Sequence, residues 1–329
     1  MVNPNAKLVG NVFDKNMEKK PTRDGFGTGT IEAARQNPNV VVLCADLKES
    51  TRAEWFEKEF PDNFIEMGVA EQNMAALAAG MAAVGKVPFI ASYAAFNPGR
   101  NYEQIRTTIA LNEMPVKVCG MHAGVSVGPD GATHQMLEDI GLMRMLPNMV
   151  VLNPADAEEA RKAVVAAAIH DGPVYLRFGR SGVPSFTTPL TPFVIGKALT
   201  LWEGERPKVT LLATGSMSYV ALEAARALES DGVSAFVLHV PTIKPLDEEA
   251  IMSAAKRTGA VVTLEEHQIA GGFGSAVAEL LSEQCPVRVK RIGLNDEFGQ
   301  SGEPDELLEH YGLSGHKVAE AVRRFVAHA

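Results

Sequence analysis

A chain of 329 residues that is 46% hydrophobic and 22% charged has room for two domains of ordinary size and is too apolar to be disordered. Its net charge of −9 argues against general nucleic-acid binding, which needs a basic surface, but leaves room for a local basic pocket around a phosphorylated metabolite. Residues 1–20 are polar with no apolar signal core, and no uninterrupted apolar run reaches membrane-spanning length, so no membrane association and a cytoplasmic location are expected. Cys44, Cys119 and Cys285 form no C-x-x-C pair and lie in or beside apolar runs, as buried thiols of a reducing compartment would.

In chain order, the apolar run 40–44 predicts a buried strand. Residues 71–84, rich in alanine and methionine, predict a buried helix. A strand follows at 87–91, a helix charged on one side at 101–111, and a strand at 116–119 leading into a glycine-containing loop. A helix is expected at 136–146, a strand at 149–152, an amphipathic helix at 155–170 and a strand at 174–178. This alternation predicts a doubly wound α/β domain with a mainly parallel sheet covered on both faces. Residues 182–192, with prolines, threonines and no charge, read as a linker. A second alternation predicts strands at 208–213, 234–239, 260–264 and 287–292, with helices at 218–230, 246–256, 274–281 and 317–325. The expected organisation is an N-terminal extension 1–21, a first domain 22–181, the linker 182–192 and a smaller α/β domain 193–329.

Two features carry chemistry. Residues 122–135 place His122, Asp130 and His134 on one loop leaving a strand end, where doubly wound sheets bind ligands. Gly124, Gly128 and Gly131 let that loop turn tightly and bring its backbone close to a ligand. Either histidine alone would more often be structural, and Asp130-Gly131 alone is a turn signal. Together they favour a site. The second feature is Glu71, in Gly68-Val69-Ala70-Glu71-Gln72-Asn73. A glutamate at a helix start complements the helix dipole. Here the small apolar surroundings would also let its carboxyl be buried and share a proton.

With these residues in view the chain resembles the C-terminal half of a transketolase encoded as a separate subunit, from about Thr22 to the end. The glutamate motif, Asp130-Gly131-Ala132-Thr133-His134-Gln135 and Tyr175-Leu176-Arg177 resemble a pyrimidine-binding domain; residues 193–198, Ala213-Thr214-Gly215 and Glu265-Glu266-His267 resemble the domain that follows it. The resemblance implies thiamine diphosphate as cofactor, with Glu71 on the ring nitrogen of its aminopyrimidine. His122 and His134 would face the donor sugar's carbonyl and hydroxyls, and Asp130 the hydroxyl next to the acceptor's aldehyde. Arg177, Ser50 and Arg23 would hold the substrate phosphate, a task for which arginine's fork of donors is suited. Tyr93 and Phe96 fall where aromatic residues meet the aminopyrimidine, the third aromatic position being Gly99 or Arg100, and Asp46 falls near the thiazolium at a subunit boundary. Gly271-Gly272-Phe273-Gly274-Ser275 looks like a phosphate-cradling turn, to which a packing or anion-site role is given.

The family's Gly-Asp-Gly metal motif does not occur in the sequence. No metal ligand is therefore expected here; Mg2+ or Ca2+ and the diphosphate end would be held by an N-terminal transketolase subunit, in an α2β2 assembly acting on sugar phosphates. Three other readings stand beside this one. A 1-deoxyxylulose-5-phosphate synthase normally has aspartate where His122 stands, and a 2-oxo acid dehydrogenase β subunit generally lacks the Asp130-Gly131 element. A non-catalytic assembly paralogue is disfavoured by the joint presence of Glu71, His122, Asp130 and His134.

Overall fold

The structure is a computed structural model describing residues 1–327. Its first sheet has seven strands in the spatial order Thr242–Lys244, Val150–Leu152, Val174–Arg177, Lys117–Met121, Val87–Tyr93, Val40–Cys44 and Phe64–Glu66. All neighbours run parallel except Thr242–Lys244, which the second half of the chain lends to this sheet antiparallel to Val150–Leu152. Strands covered on both faces read as continuous apolar runs, and Val40–Cys44 is buried at every position. On one face Phe26, Ala33, Ala160 and Val164 of helices Thr22–Gln36 and Ala157–Ile169 pack on the strands. On the other, Met74, Ala75 and Ala78 of helix Glu71–Ala83 join a core that runs on into Leu238, Ile251 and Val277 of the second domain.

The second sheet has the order Arg288–Leu294, Ala260–Gln268, Val209–Ala213, Ala235–His239 and Leu199–Glu203, only the last being antiparallel to its neighbour. Both domains are mainly parallel α/β units, as the alternation predicts. Among the described residues no helix is long and apolar enough to cross a membrane.

The chain's first residues fasten onto the second domain. Val2 bridges to Trp202, the Asn3 amide donates to the Leu201 carbonyl at 2.8 Å, and Ala6 and Val12 are buried with Leu211 and Leu222. The linker is also anchored: Val183–Pro184 pairs with Lys19–Lys20, and Phe186 is fully buried. Helix Thr22–Gln36 escapes the periodicity argument because Gly25, Gly27 and Gly29 lower its helix propensity. A Cβ on Gly25 would lie 2.2 Å from the Ala157 carbonyl oxygen, so close packing on helix Ala157–Ile169 takes precedence over propensity. Two predicted helices are altered. The 136–146 helix is only Asp139–Arg144, because the Met136 carbonyl accepts from the Gly124 amide at 2.9 Å to close the loop. The 101–111 helix is a turn, Tyr102–Gln104, followed by the π-helical segment Ile105–Ala110.

A candidate active site at the carboxyl edge of the first sheet

Parallel strands put their carboxyl ends on one edge. Four neighbours there carry the segments that follow them: Asp46 to Ser50 after Val40–Cys44, Phe96 to Arg100 after Val87–Tyr93, His122 to His134 after Lys117–Met121, and Arg180 after Val174–Arg177. Glu71 reaches the same edge from the helix that follows Phe64–Glu66. It is only 1% exposed. The Ser92 hydroxyl donates to its Oε1 at 3.2 Å and Arg100 Nη1 to its Oε2 at 2.6 Å, while Asn101 Nδ2 ties its backbone carbonyl at 3.2 Å. A buried carboxylate is tolerated when paired and hydrogen-bonded in this way.

Beside it stands an aromatic wall. The Tyr93 and Phe96 rings are near parallel, 8° apart with centroids at 6.2 Å, and His134 stands edge-on to both at 5.9 and 5.6 Å. The His122 ring stacks on Tyr93 at 3.9 Å. His122 is buried, and Arg23 Nη1 lies 3.3 Å from its Nε2. A guanidinium has only donors, so Nε2 accepts and Nδ1 carries the hydrogen. That buried Nδ1–H has no hydrogen-bond partner among the described residues. Burial, reinforced by Arg23, Arg180 and Arg52, pushes the imidazole down to about 2. His122 is therefore a neutral donor, fixed in tautomer, in a positively charged corner.

The loop 122–135 is held rigidly. Gly124, Gly128 and Gly131 all take positive φ, the backbone region that glycine enters without steric cost. At Gly124 (φ +92°) a Cβ would meet the Glu266 carboxylate at 2.2 Å, and that carboxylate accepts from the Ser126 amide at 2.7 Å. Gln135, a motif residue given no role from sequence, is buried and donates to the carbonyls of Val125 and Gln300 at 3.1 and 3.0 Å.

The residues expected to hold a phosphate lie in different environments. Arg177 does not face the site: it is 5% exposed, its Nε donates to Asp139 Oδ2 at 2.7 Å and its Nη2 to the Glu266 carbonyl at 2.9 Å. The Tyr175 hydroxyl adds a bond to Asp139 at 2.7 Å. Burial alone would raise the Asp139 carboxyl, but Arg177, with His267 and Tyr175, outweighs it and holds the group below the usual carboxylate range. The expectation that Arg177 grips a phosphate is corrected, because strand alternation turns it inward to a buried pair. Arg180 lies beyond the strand end, 37% exposed, with Nη1 on Asp130 Oδ1 at 3.1 Å. Arg23 donates to the Ser50 backbone carbonyl at 2.7 Å, and its buried Nε has no hydrogen-bond partner among the described residues. Burial, with Arg52 alongside, lowers its guanidinium below the ordinary value. Arg23 thus touches His122, and Arg52 and Arg180 add to the positive field there, a locally basic corner in an acidic protein. Arg180 was within reach of sequence reasoning, since an arginine just past Gly179 leaves the strand for the loop. Asp46 is exposed at its strand end with φ +57°, its amide donating to Glu66 Oε1 at 2.8 Å.

The turn 271–275 is not an open anion site. Glu265 is fully buried behind it, and its carboxylate accepts from the Phe273 and Gly274 amides at 2.6 and 2.8 Å. The protein's own carboxylate fills the position an anion would take at that helix start. Among the described residues no group of three His, Cys, Asp or Glu side chains is placed to hold a metal ion.

The geometry defines a strand-end site built from a buried glutamate, an aromatic wall, two histidines and an arginine pocket. Residues 18–185 match the family model "Transketolase, pyrimidine binding domain" and residues 196–318 match "Transketolase, C-terminal domain". The chain belongs to the transketolase family. It is 44% identical over 306 residues to a transketolase C-terminal section from Methanocaldococcus jannaschii, covering 92% of this chain and 95% of the relative. It is 40% identical to a 6-deoxy-6-sulfo-D-fructose transketolase subunit from Clostridium sp. (strain MSTE9), covering 94% and 95%. A solved structure titled as a split-gene transketolase, an inactive β4 tetramer, superposes with a TM-score of 0.86 at 46% identity, covering 93% of this chain and 98% of that one.

Proposed function

We propose that this chain is the C-terminal subunit of a split transketolase, transferring a two-carbon ketol unit from a ketose phosphate to an aldose phosphate with thiamine diphosphate. The observation that carries this reading is the buried Glu71 carboxyl set beside the Tyr93–Phe96 wall. One carboxylate oxygen is held by Ser92 within the strand, the other by the half-exposed Arg100, so the second can be offered to a planar ring's nitrogen. The cofactor, when bound, supplies an acidic ring carbon and the electron sink for breaking a carbon–carbon bond. Glu71 places and moves the proton on the aminopyrimidine nitrogen. His122 donates from Nδ1 to substrate oxygen, and His134 hydrogen-bonds the donor's hydroxyls. Asp130 orients the acceptor, and Arg180 with Arg23 binds the phosphate.

The diphosphate and its Mg2+ belong to a partner subunit carrying the Gly-Asp-Gly motif. A related split-gene chain that is inactive as a β4 tetramer supports a site completed by another polypeptide. Helix Glu71–Ala83 leaves Leu77 40% exposed, with Val69 and Val84 at 70% and 81% near its ends, an apolar face of the sort subunit contacts cover.

The test mixes the chain with candidate partner subunits, thiamine diphosphate and Mg2+, and follows xylulose 5-phosphate with ribose 5-phosphate. Turnover is expected only with the partner. A stable but inactive complex refutes the reading, and preference for pyruvate with glyceraldehyde 3-phosphate assigns a synthase instead. In the active complex Glu71→Gln keeps the shape but cannot share the proton, and kcat is expected to fall about 100-fold or more.

A further inference from the structure

We infer that Arg100 is a gate: its guanidinium occupies the aminopyrimidine's place against Glu71 and Phe96, and must swing out for the cofactor to bind. The inference rests on the reading that thiamine diphosphate binds at Glu71. The Arg100 guanidinium is a flat cation lying 4.4 Å from the centroid of the Phe96 ring, and its Nη1 donates to Glu71 Oε2 at 2.6 Å. It therefore presents a planar group on an aromatic face with a donor aimed at the buried carboxylate, as an aminopyrimidine protonated on its ring nitrogen would. The other Glu71 oxygen is bonded to Ser92, which is fully buried within strand Val87–Tyr93 and cannot withdraw. The Arg100 side chain is 45% exposed, so it alone among the carboxylate's partners has solvent to move into.

Two consequences follow from one arrangement. In most free molecules the Arg100–Glu71 pair keeps the buried carboxylate matched by a cation, and leaving it unmatched would be destabilising. Cofactor binding must first break the Arg100–Glu71 pair, so the apparent affinity is reduced by the share of molecules in which the pair is made.

The test measures thiamine diphosphate binding by calorimetry, with Mg2+, to the complex assembled with the partner subunit. Arg100→Met removes the competitor while keeping the stem's bulk, and binding is expected to tighten roughly three- to tenfold. In a Glu71→Gln background the same substitution is expected to change affinity less than about twofold, because the pair it breaks is already weakened. The isolated Arg100→Met chain should melt lower than wild type, and Arg100→Lys, which keeps the charge but not the flat stack, should fall between. Unchanged or weaker binding by Arg100→Met overturns the gate and makes Arg100 a cofactor-holding residue. Absence of binding by the wild-type complex is a different failure: it removes the transketolase reading itself.

Discussion

Arg177 and Arg180 leave the end of the same strand, three positions apart, and have opposite environments. Arg177 is sealed between the domains, on the Asp139 carboxylate and the Glu266 carbonyl. Arg180 stands at the mouth of the site, paired with the Asp130 carboxylate. A buried ion pair closed by further hydrogen bonds is a joint: removing one member strands the other in a medium that cannot solvate it. An ion pair open to water contributes little to stability, and its members can exchange partners when a ligand arrives. The seam is thus built for permanence and the mouth for exchange, although both use arginine and aspartate.

Replacement at the seam should give the largest effect. Arg177→Met leaves Asp139 and the Glu266 carbonyl without their cation, and a loss of about 3–5 kcal/mol of folding stability is expected by urea unfolding. A loss below about 1 kcal/mol would erase the distinction. At the mouth, Arg180→Met should leave stability nearly unchanged, raising KM for phosphorylated sugars about 10- to 100-fold and altering kcat much less. Equal loss with substrates lacking a phosphate would remove Arg180 from phosphate binding.

The smallest effect is a change of slope with pH on the seam side. Burial raises the Glu265 carboxyl from its ordinary 4.5 to about 7, against the two backbone amides that favour its charge. Between those limits the folded chain holds a proton that the unfolded chain has released, so this group's contribution is complete below pH 4.5 and is lost as pH rises through about 7. Glu265→Gln should flatten the fall in stability between pH 5 and 7 in urea melts. A slope identical to wild type would show that the carboxyl is not titrating there.

Much of the site was legible because it is local. Glu71 follows Gly68-Val69-Ala70 and opens an alanine-rich helix, and thirteen consecutive residues carry both His122 and His134, with glycines at positions that take positive φ. Arg100 was noticed only as a departure from an aromatic pattern. Its contact with Glu71 spans 29 positions of sequence, and no local pattern reports such a contact. Arg177 was misread for a related reason: an arginine in a motif does not say which side of the strand it faces, and Asp139, which claims it, lies 38 residues upstream. The anion role considered for 271–275 fails likewise, because Glu265 reaches those amides only once strand and helix are packed.

By itself, then, the amino-acid order determined the two α/β domains, most of their strands, the strand-end loop and the family. Periodicity, glycine placement and motif spacing act within a few residues of one another, and that information is one-dimensional. Only the tertiary structure decided that residues 1–20 pack on the second domain, that Thr242–Lys244 extends the first sheet and that Gly25 lets two helices touch. It also decided which arginine is sealed and which is free to meet a ligand. Burial and pairing depend on what the rest of the chain brings alongside, and in a dry interior an unmatched charge is too costly to leave its partner to chance.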